Sequence, residues 1–74
     1  MYERIRELRE DNDIKQKDMA AYLKLHQTTY SSYELGKLNV PAGILMALAR
    51  YYHTSVDYLL GMTDIRTPYP PRKK

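Results

Sequence analysis

The stretch KQKDMAAYLKLHQTTYSSYELG, residues 15–36, carries two helical periods with three residues between them. Met19, Ala20 and Leu23 make an apolar stripe in its first half, and Ala20 and Ala21 leave room for a close neighbour, so the spacing predicts a helix over about 16–23. The second half places Tyr30 and Tyr33 on an inward face and predicts a helix over about 27–35, which Gly36 ends by accepting a left-handed backbone. Lys24, Leu25 and His26 alone join the two. So short a connection lets the helices pack only at a steep angle. From Gln27 to Ser32, five of six side chains are short, neutral and hydrogen-bonding: Gln27, Thr28, Thr29, Ser31 and Ser32. A helix with such a face needs an explanation, because these residue types add little to a core.

Outward from this centre the chain reads as more helix. Upstream, Met1, Ile5 and Leu8 share one face of a helix expected over about 2–12, with Arg6 four residues before Glu10, until "DND" favours a turn. Downstream, "LNVP" is a loop, and Pro41 fits the first turn of a fourth helix whose inward stripe is Ile44, Leu45, Leu48, Ala49 and Tyr52. "HTS" ends that helix, and Thr54 or Ser55 caps a fifth in which Val56, Leu59 and Leu60 face the core before Gly61 closes it. The expectation is an all-α fold of five short helices over 1–61, followed by a Pro-containing basic tail over 62–74.

Length and composition exclude several classes. Seventy-four residues hold one small domain, near the lower limit for a purely hydrophobic core. No cysteine is present, so neither disulfides nor thiolate metal sites are expected, and His26 and His53 have no thiol partners for a metal. No apolar run approaches bilayer length and no secretory signal opens the chain, which points to the cytoplasm and away from membranes. The net charge of +3 hides its distribution: residues 1–13 carry −2, residues 14–40 carry +2, residues 41–64 carry −1, and the last ten carry four bases. The helical part is therefore near neutral, and any affinity for a polyanion depends on where its charges sit.

The residues quoted so far, together with Tyr33-Glu34-x-Gly36 and Val56-Asp57-Tyr58-Leu59-Leu60-Gly61, resemble the phage-repressor and Cro type of helix-turn-helix transcriptional regulator, over about 5–61. The resemblance implies a sequence-specific regulator of transcription, most simply a repressor, whose third helix enters the major groove of double-stranded DNA. There Gln27 matches the position that reaches a base edge, where its amide suits adenine; Thr28 and Ser32 lie beside it, and Ser31 is a weaker reader. Lys15, Gln16 and Lys17 at the start of the second helix, His26, and Lys37 and Asn39 after the third match positions that meet the phosphate backbone. In the family Gln16 also braces Gln27, and Arg9 and Glu34 form a structural salt bridge between the first and third helices. The implied partner is a palindromic operator, bound by a homodimer that exists in solution or forms only on DNA. Val56, Tyr58, Met62 and Ile65 are candidates for its interface.

Departures from the pattern stand at the turns. Lys15 replaces a usual Ser or Thr cap, Lys24 a usual Gly, and His26 another Ser or Thr cap; Lys24 is expected to hold a strained left-handed backbone. Gly43, within the fourth helix, has no functional reading. Other motifs dissolve on inspection. "DNDIKQKD" lacks the glycine and the terminal acid of a calcium loop, and Ser31-x-x-Glu34 falls inside a helix rather than at its start. There is no phosphate-binding glycine loop, nucleophile elbow or acid pair, so no enzymatic activity and no cofactor are expected. Of the eight Tyr, Tyr30, Tyr33 and Tyr52 belong to apolar faces, while Tyr22, Tyr51, Tyr58 and Tyr69 are open to other contacts. A protein-binding adaptor or antitoxin-like module, using the tyrosine surface, is the alternative.

Overall fold

In the computed structural model, which describes residues 2–68, five helices follow in order: α1 (Glu3–Asp11), α2 (Gln16–Tyr22), α3 (Gln27–Glu34), α4 (Ala42–Tyr52) and α5 (Val56–Leu59). No strand occurs among the described residues. The five largest fully buried side chains, Ile5, Met19, Tyr30, Leu48 and Leu59, come one from each helix. Each contributes about 1.5–3 kcal/mol by leaving water, so no helix can be removed without opening the common core. The apolar stripes lie where the periodicity puts them: Ile5 and Leu8 on α1, Met19 and Ala20 on α2 with Leu23 just after it, and Leu45, Leu48 and Ala49 on α4 are buried. Ile44, Tyr52, Val56 and Leu60 pack against that cluster while keeping some exposure.

Two core members lie outside the stripes. Tyr2 is 6 % exposed and its hydroxyl accepts a hydrogen bond from the Val40 amide at 3.2 Å, which ties the start of α1 to the loop before α4. Val40 is itself buried. Pro41 is the residue flanking α4 rather than part of its first turn, with φ −61° and ψ 151°. An extended ψ at Pro41 lets Val40 turn inward before the helix begins.

All five helices end alike. Asp13, Lys24, Gly36, His53 and Gly61 have φ between 55° and 76°, and the amide after each reaches back five residues to a carbonyl. These bonds, from Ile14, Leu25, Lys37, Thr54 and Met62 to Arg9, Ala20, Ser32, Ala49 and Asp57, are 2.8–3.1 Å long. This is the Schellman closure, which satisfies carbonyls that the helix leaves open. Starts are less uniform: Ser55 caps α5 by accepting from the Tyr58 amide at 3.1 Å, whereas Lys15 and His26, flanking α2 and α3, make no side-chain cap.

Residues 62–68 add no helix, yet the first of them are held. Arg4 donates to the carbonyls of Tyr58 (3.1 Å) and Thr63, pairs with Asp64 at 2.6 Å, and lies 4.2 Å over the Tyr58 ring. Thr54 Oγ1 donates to the Arg66 carbonyl at 2.7 Å. The expected tail therefore begins as a strap across α1 and α5; its last part, with Tyr69, and Met1 at the other end lie outside the described residues. No helix among the described residues is long and apolar enough to cross a membrane.

Candidate nucleic-acid interface

α3 divides into two faces. Tyr30, Tyr33 and Glu34 are buried, Gln27 and Thr28 are exposed, and Thr29, Ser31 and Ser32 lie between. The division follows from side-chain size: the two tyrosines bury large apolar bodies against α2 and the core, so the short hydroxyl residues and the amide are left outward. The side chains of Gln27 and Thr28 make no hydrogen bond among the described residues. Ser32 Oγ donates to the Thr28 carbonyl at 3.0 Å, so its proton is committed within the helix while its lone pairs remain open.

The other expected contacts sit on the elements that flank α3. Lys15 and Lys17 at the head of α2 are exposed and Gln16 between them is partly buried; His26, immediately before α3, and Lys37 and Asn39, after it, are exposed. The uncapped starts of α2 and α3 leave amide N–H groups at both helix heads without a side-chain partner.

Beneath this surface the structure brings together three residues that are far apart in the chain. Arg9 Nε meets Glu34 Oε2 at 2.7 Å and Arg9 Nη2 meets Oε1 at 3.2 Å, while Arg9 Nη1 donates to the Ile14 carbonyl at 2.7 Å. The pair is nearly dry, with side-chain exposures of 12 % and 2 %. Gln16 Nε2 donates to Glu34 Oε1 at 3.1 Å. No hydrogen bond between Gln16 and Gln27, the brace that the resemblance implies, accompanies it among the described residues. Burial raises the Glu34 carboxyl, but the Arg9 and Gln16 hydrogen bonds and the Arg9 charge outweigh it and hold the group below the ordinary glutamate range. Arg9 is correspondingly raised by its bond to Glu34. Tyr30 lies beside this group; burial and the Glu34 carboxylate push its phenol up, though its hydroxyl makes no hydrogen bond of standard geometry.

The position of Glu34 was open to a sequence argument. An acid in the last turn of a helix faces the negative end of the dipole and needs a cation from elsewhere. Arg4, which fastens the strap, carried no comparable signal, because one arginine among the charges of α1 looks like its neighbours.

The interface candidates separate. Val56 packs on the core and Tyr58 lies under Arg4, whereas Met62 and Ile65 are 75 % and 68 % exposed. On another part of the surface Tyr22 and Tyr51 meet edge-to-face at 4.8 Å, and Tyr51 meets Tyr52 at 5.1 Å. No group of three or more His, Cys, Asp or Glu able to hold a metal ion occurs among the described residues.

Comparison with known proteins bears on the same region. A family profile described as helix-turn-helix matches residues 5–59, from the core face of α1 to the end of α5. The chain is 35 % identical over 71 residues to a Bacillus subtilis (strain 168) protein named "Uncharacterized HTH-type transcriptional regulator YobD". The alignment takes in 96 % of this chain and 63 % of that relative, so the chain spans less than two thirds of the relative's length. No solved structure matches the chain at a significant level. With five helices among the described residues, a four-residue connection (Leu23 to His26) between α2 and α3, and a profile match over most of its length, the chain belongs to the helix-turn-helix family of the Cro/C1 type.

Proposed function

We propose that the protein is a transcriptional regulator that binds double-stranded DNA in a sequence-specific way, with α3 in the major groove, and that it represses by occluding a promoter. One observation carries this reading: the outward side of α3 presents an unengaged amide and hydroxyl residues while its inward side is locked by Tyr30 and Tyr33. Neutral amides and hydroxyls supply both hydrogen-bonding senses, which the varied edges of the major groove require. Gln27 takes adenine N6 and N7 together, a pairing worth about 1–3 kcal/mol of discrimination. Thr28 offers a methyl to thymine, and Ser32, with its proton given to Thr28, accepts from an exocyclic amine. Ser31 is a lesser contact. Lys15, Gln16, Lys17, His26, Lys37 and Asn39 hold phosphates and set the register, without reading sequence. Membership of the helix-turn-helix family and the transcriptional-regulator name of the Bacillus relative support the same reading.

The operator is an inverted repeat read by two copies, one α3 for each half-site about 10 base pairs apart. Selection of bound duplexes from a random pool tests this: an enriched inverted repeat is expected, and no enrichment at low salt defeats the reading. Two substitutions then separate the roles. Gln27→Ala is expected to relax preference at one position of each half-site, and Lys17→Ala to weaken all duplexes alike and lower the salt slope by about one unit. If both variants keep the parent's preference and salt slope, the assignment of roles is wrong.

The exposed Tyr22–Tyr51 pair favours a second reading, a module that holds a protein partner. Salt distinguishes the two, since DNA affinity falls steeply with rising salt and an apolar contact does not.

A further inference from the structure

Among the side chains assigned to DNA above, Gln16 is joined to the buried ion pair. Its Nε2 donates to Glu34 Oε1, the same oxygen that receives Arg9 Nη2, and the second carboxylate oxygen receives Arg9 Nε. The orientation of the amide follows from chemistry: an ionised carboxylate only accepts, so Gln16 must turn its NH2 group toward Glu34. One N–H is used there. The second N–H is left over, and it is the kind of donor that a phosphate oxygen needs. Glu34 does not move to meet its partners, because it is buried in the last turn of α3 and fixed by two bonds from Arg9. Gln27, by contrast, is exposed and engaged by no side-chain hydrogen bond among the described residues.

We infer that Glu34 is a positioning residue for DNA binding: it holds the Gln16 amide in place before DNA arrives, and it leaves Gln27 as an independent reader. The inference rests on the DNA-binding reading above and deepens it. A long flexible side chain that is already ordered loses less freedom on binding, so the effect lies in preorganisation and not in a contact between Glu34 and DNA. It also places the phosphate-side glutamine and the base-side glutamine on separate supports. Substitution at Gln27 then alters base preference without loosening Gln16.

The test is a double-mutant cycle on the selected duplex at one fixed salt concentration. Glu34→Gln removes a negative charge, which raises affinity for any duplex, so its effect is compared in the parent and in a Gln16→Ala background. The charge effect is common to both and cancels in the ratio. Glu34→Gln is expected to be less favourable in the parent than in Gln16→Ala by about threefold or more, as for residues in one network. A parallel cycle of Gln16→Ala with Gln27→Ala is expected to be additive. Equal effects of Glu34→Gln in both backgrounds, or strong coupling of Gln16 to Gln27, overturn the inference. Nuclear magnetic resonance of the free parent protein decides the matter if Glu34→Gln fails to fold: cross-peaks from the Gln16 side-chain amide protons to Glu34 and Arg9 are expected, and cross-peaks to Gln27 in their place defeat it. Failure of the parent to bind any duplex is a separate result, visible without a variant, and removes the underlying reading as well.

Discussion

Glycine is misplaced at two positions of this chain, in opposite senses. Lys24 holds φ 59° in the turn between α2 and α3, a backbone that an L side chain adopts at an energetic disadvantage and glycine adopts freely. Gly43 lies in the first turn of α4 with φ in the ordinary range, and a Cβ built there meets nothing within 4 Å. Adding a glycine at the first and removing one at the second should both stabilise. Lys24→Gly is expected to gain about 1 kcal/mol, and Gly43→Ala about 0.5–1 kcal/mol. Thermal melts check both, with midpoints rising by about 4–8 °C per kcal/mol in a chain of this size. A fall for Lys24→Gly would show that the lysine side chain supports the turn in a way its exposed position does not suggest. The same comparison shows what was legible residue by residue. Lys24, Gly36 and Gly61 declared their left-handed backbones, the glycines by type and the lysine by standing where the resemblance calls for glycine. Asp13 and His53 did not, because the Schellman bond imposes the conformation on whatever residue ends the helix, and neither residue type demands it.

At the scale of elements, two arginines of α1 join it to the rest of the fold, and they do so by different physics. Arg9 and Glu34 are nearly dry, so their pairing holds α1 against the end of α3 and also links stability to pH. Glu34 is held below its ordinary range in the folded chain, which means that its contribution is present above the unfolded value of about 4.3 and is lost as pH falls through the folded value. Thermal melts across the acid range are expected to show the parent losing stability there and Glu34→Gln losing less, from a lower starting point at neutral pH. Parallel curves for the two proteins would remove Glu34 from the account. Arg4 works otherwise. Its partner Asp64 is 97 % exposed, so that ion pair is screened by water, and the bonds to the Tyr58 and Thr63 carbonyls with the Tyr58 ring carry the attachment. Arg4→Met is expected to destabilise by about 1–2 kcal/mol and to speed hydrogen exchange at the Ile65 amide, while Asp64→Asn changes little. Helix order and the buried stripes were readable from periodicity, since burial of one face leaves a direct mark on the sequence. The strap was not, because it is held by backbone carbonyls, and these have no residue type to betray them.

For the molecule as a whole, the proposed function requires two copies to meet on one operator. Of the four side chains expected at an interface, Tyr58 is taken by Arg4 and Val56 by the core, which leaves Met62 and Ile65 exposed on and beside the strap. Two side chains bury far less than the roughly 800 Å² per partner of a stable interface, so association in free solution should be weak. With one of its shorter Cα extents, 24 or 23 Å rather than 36 Å, along the duplex, each of two copies fits a half-site about 34 Å from the other on one side without overlap. A weak contact then suffices, because the first bound copy raises the local concentration of the second. Sedimentation at micromolar concentration is expected to give a monomer, and titration of a duplex carrying both half-sites to give a cooperative two-to-one complex. Inserting about 5 base pairs between the half-sites rotates one of them to the opposite side of the duplex and should abolish cooperativity while each half-site keeps its own affinity. Met62→Ser should act in the same direction on the unaltered duplex. Cooperativity that survives the insertion would mean that the two copies do not touch, and that bending or twisting of the DNA between them carries the coupling instead.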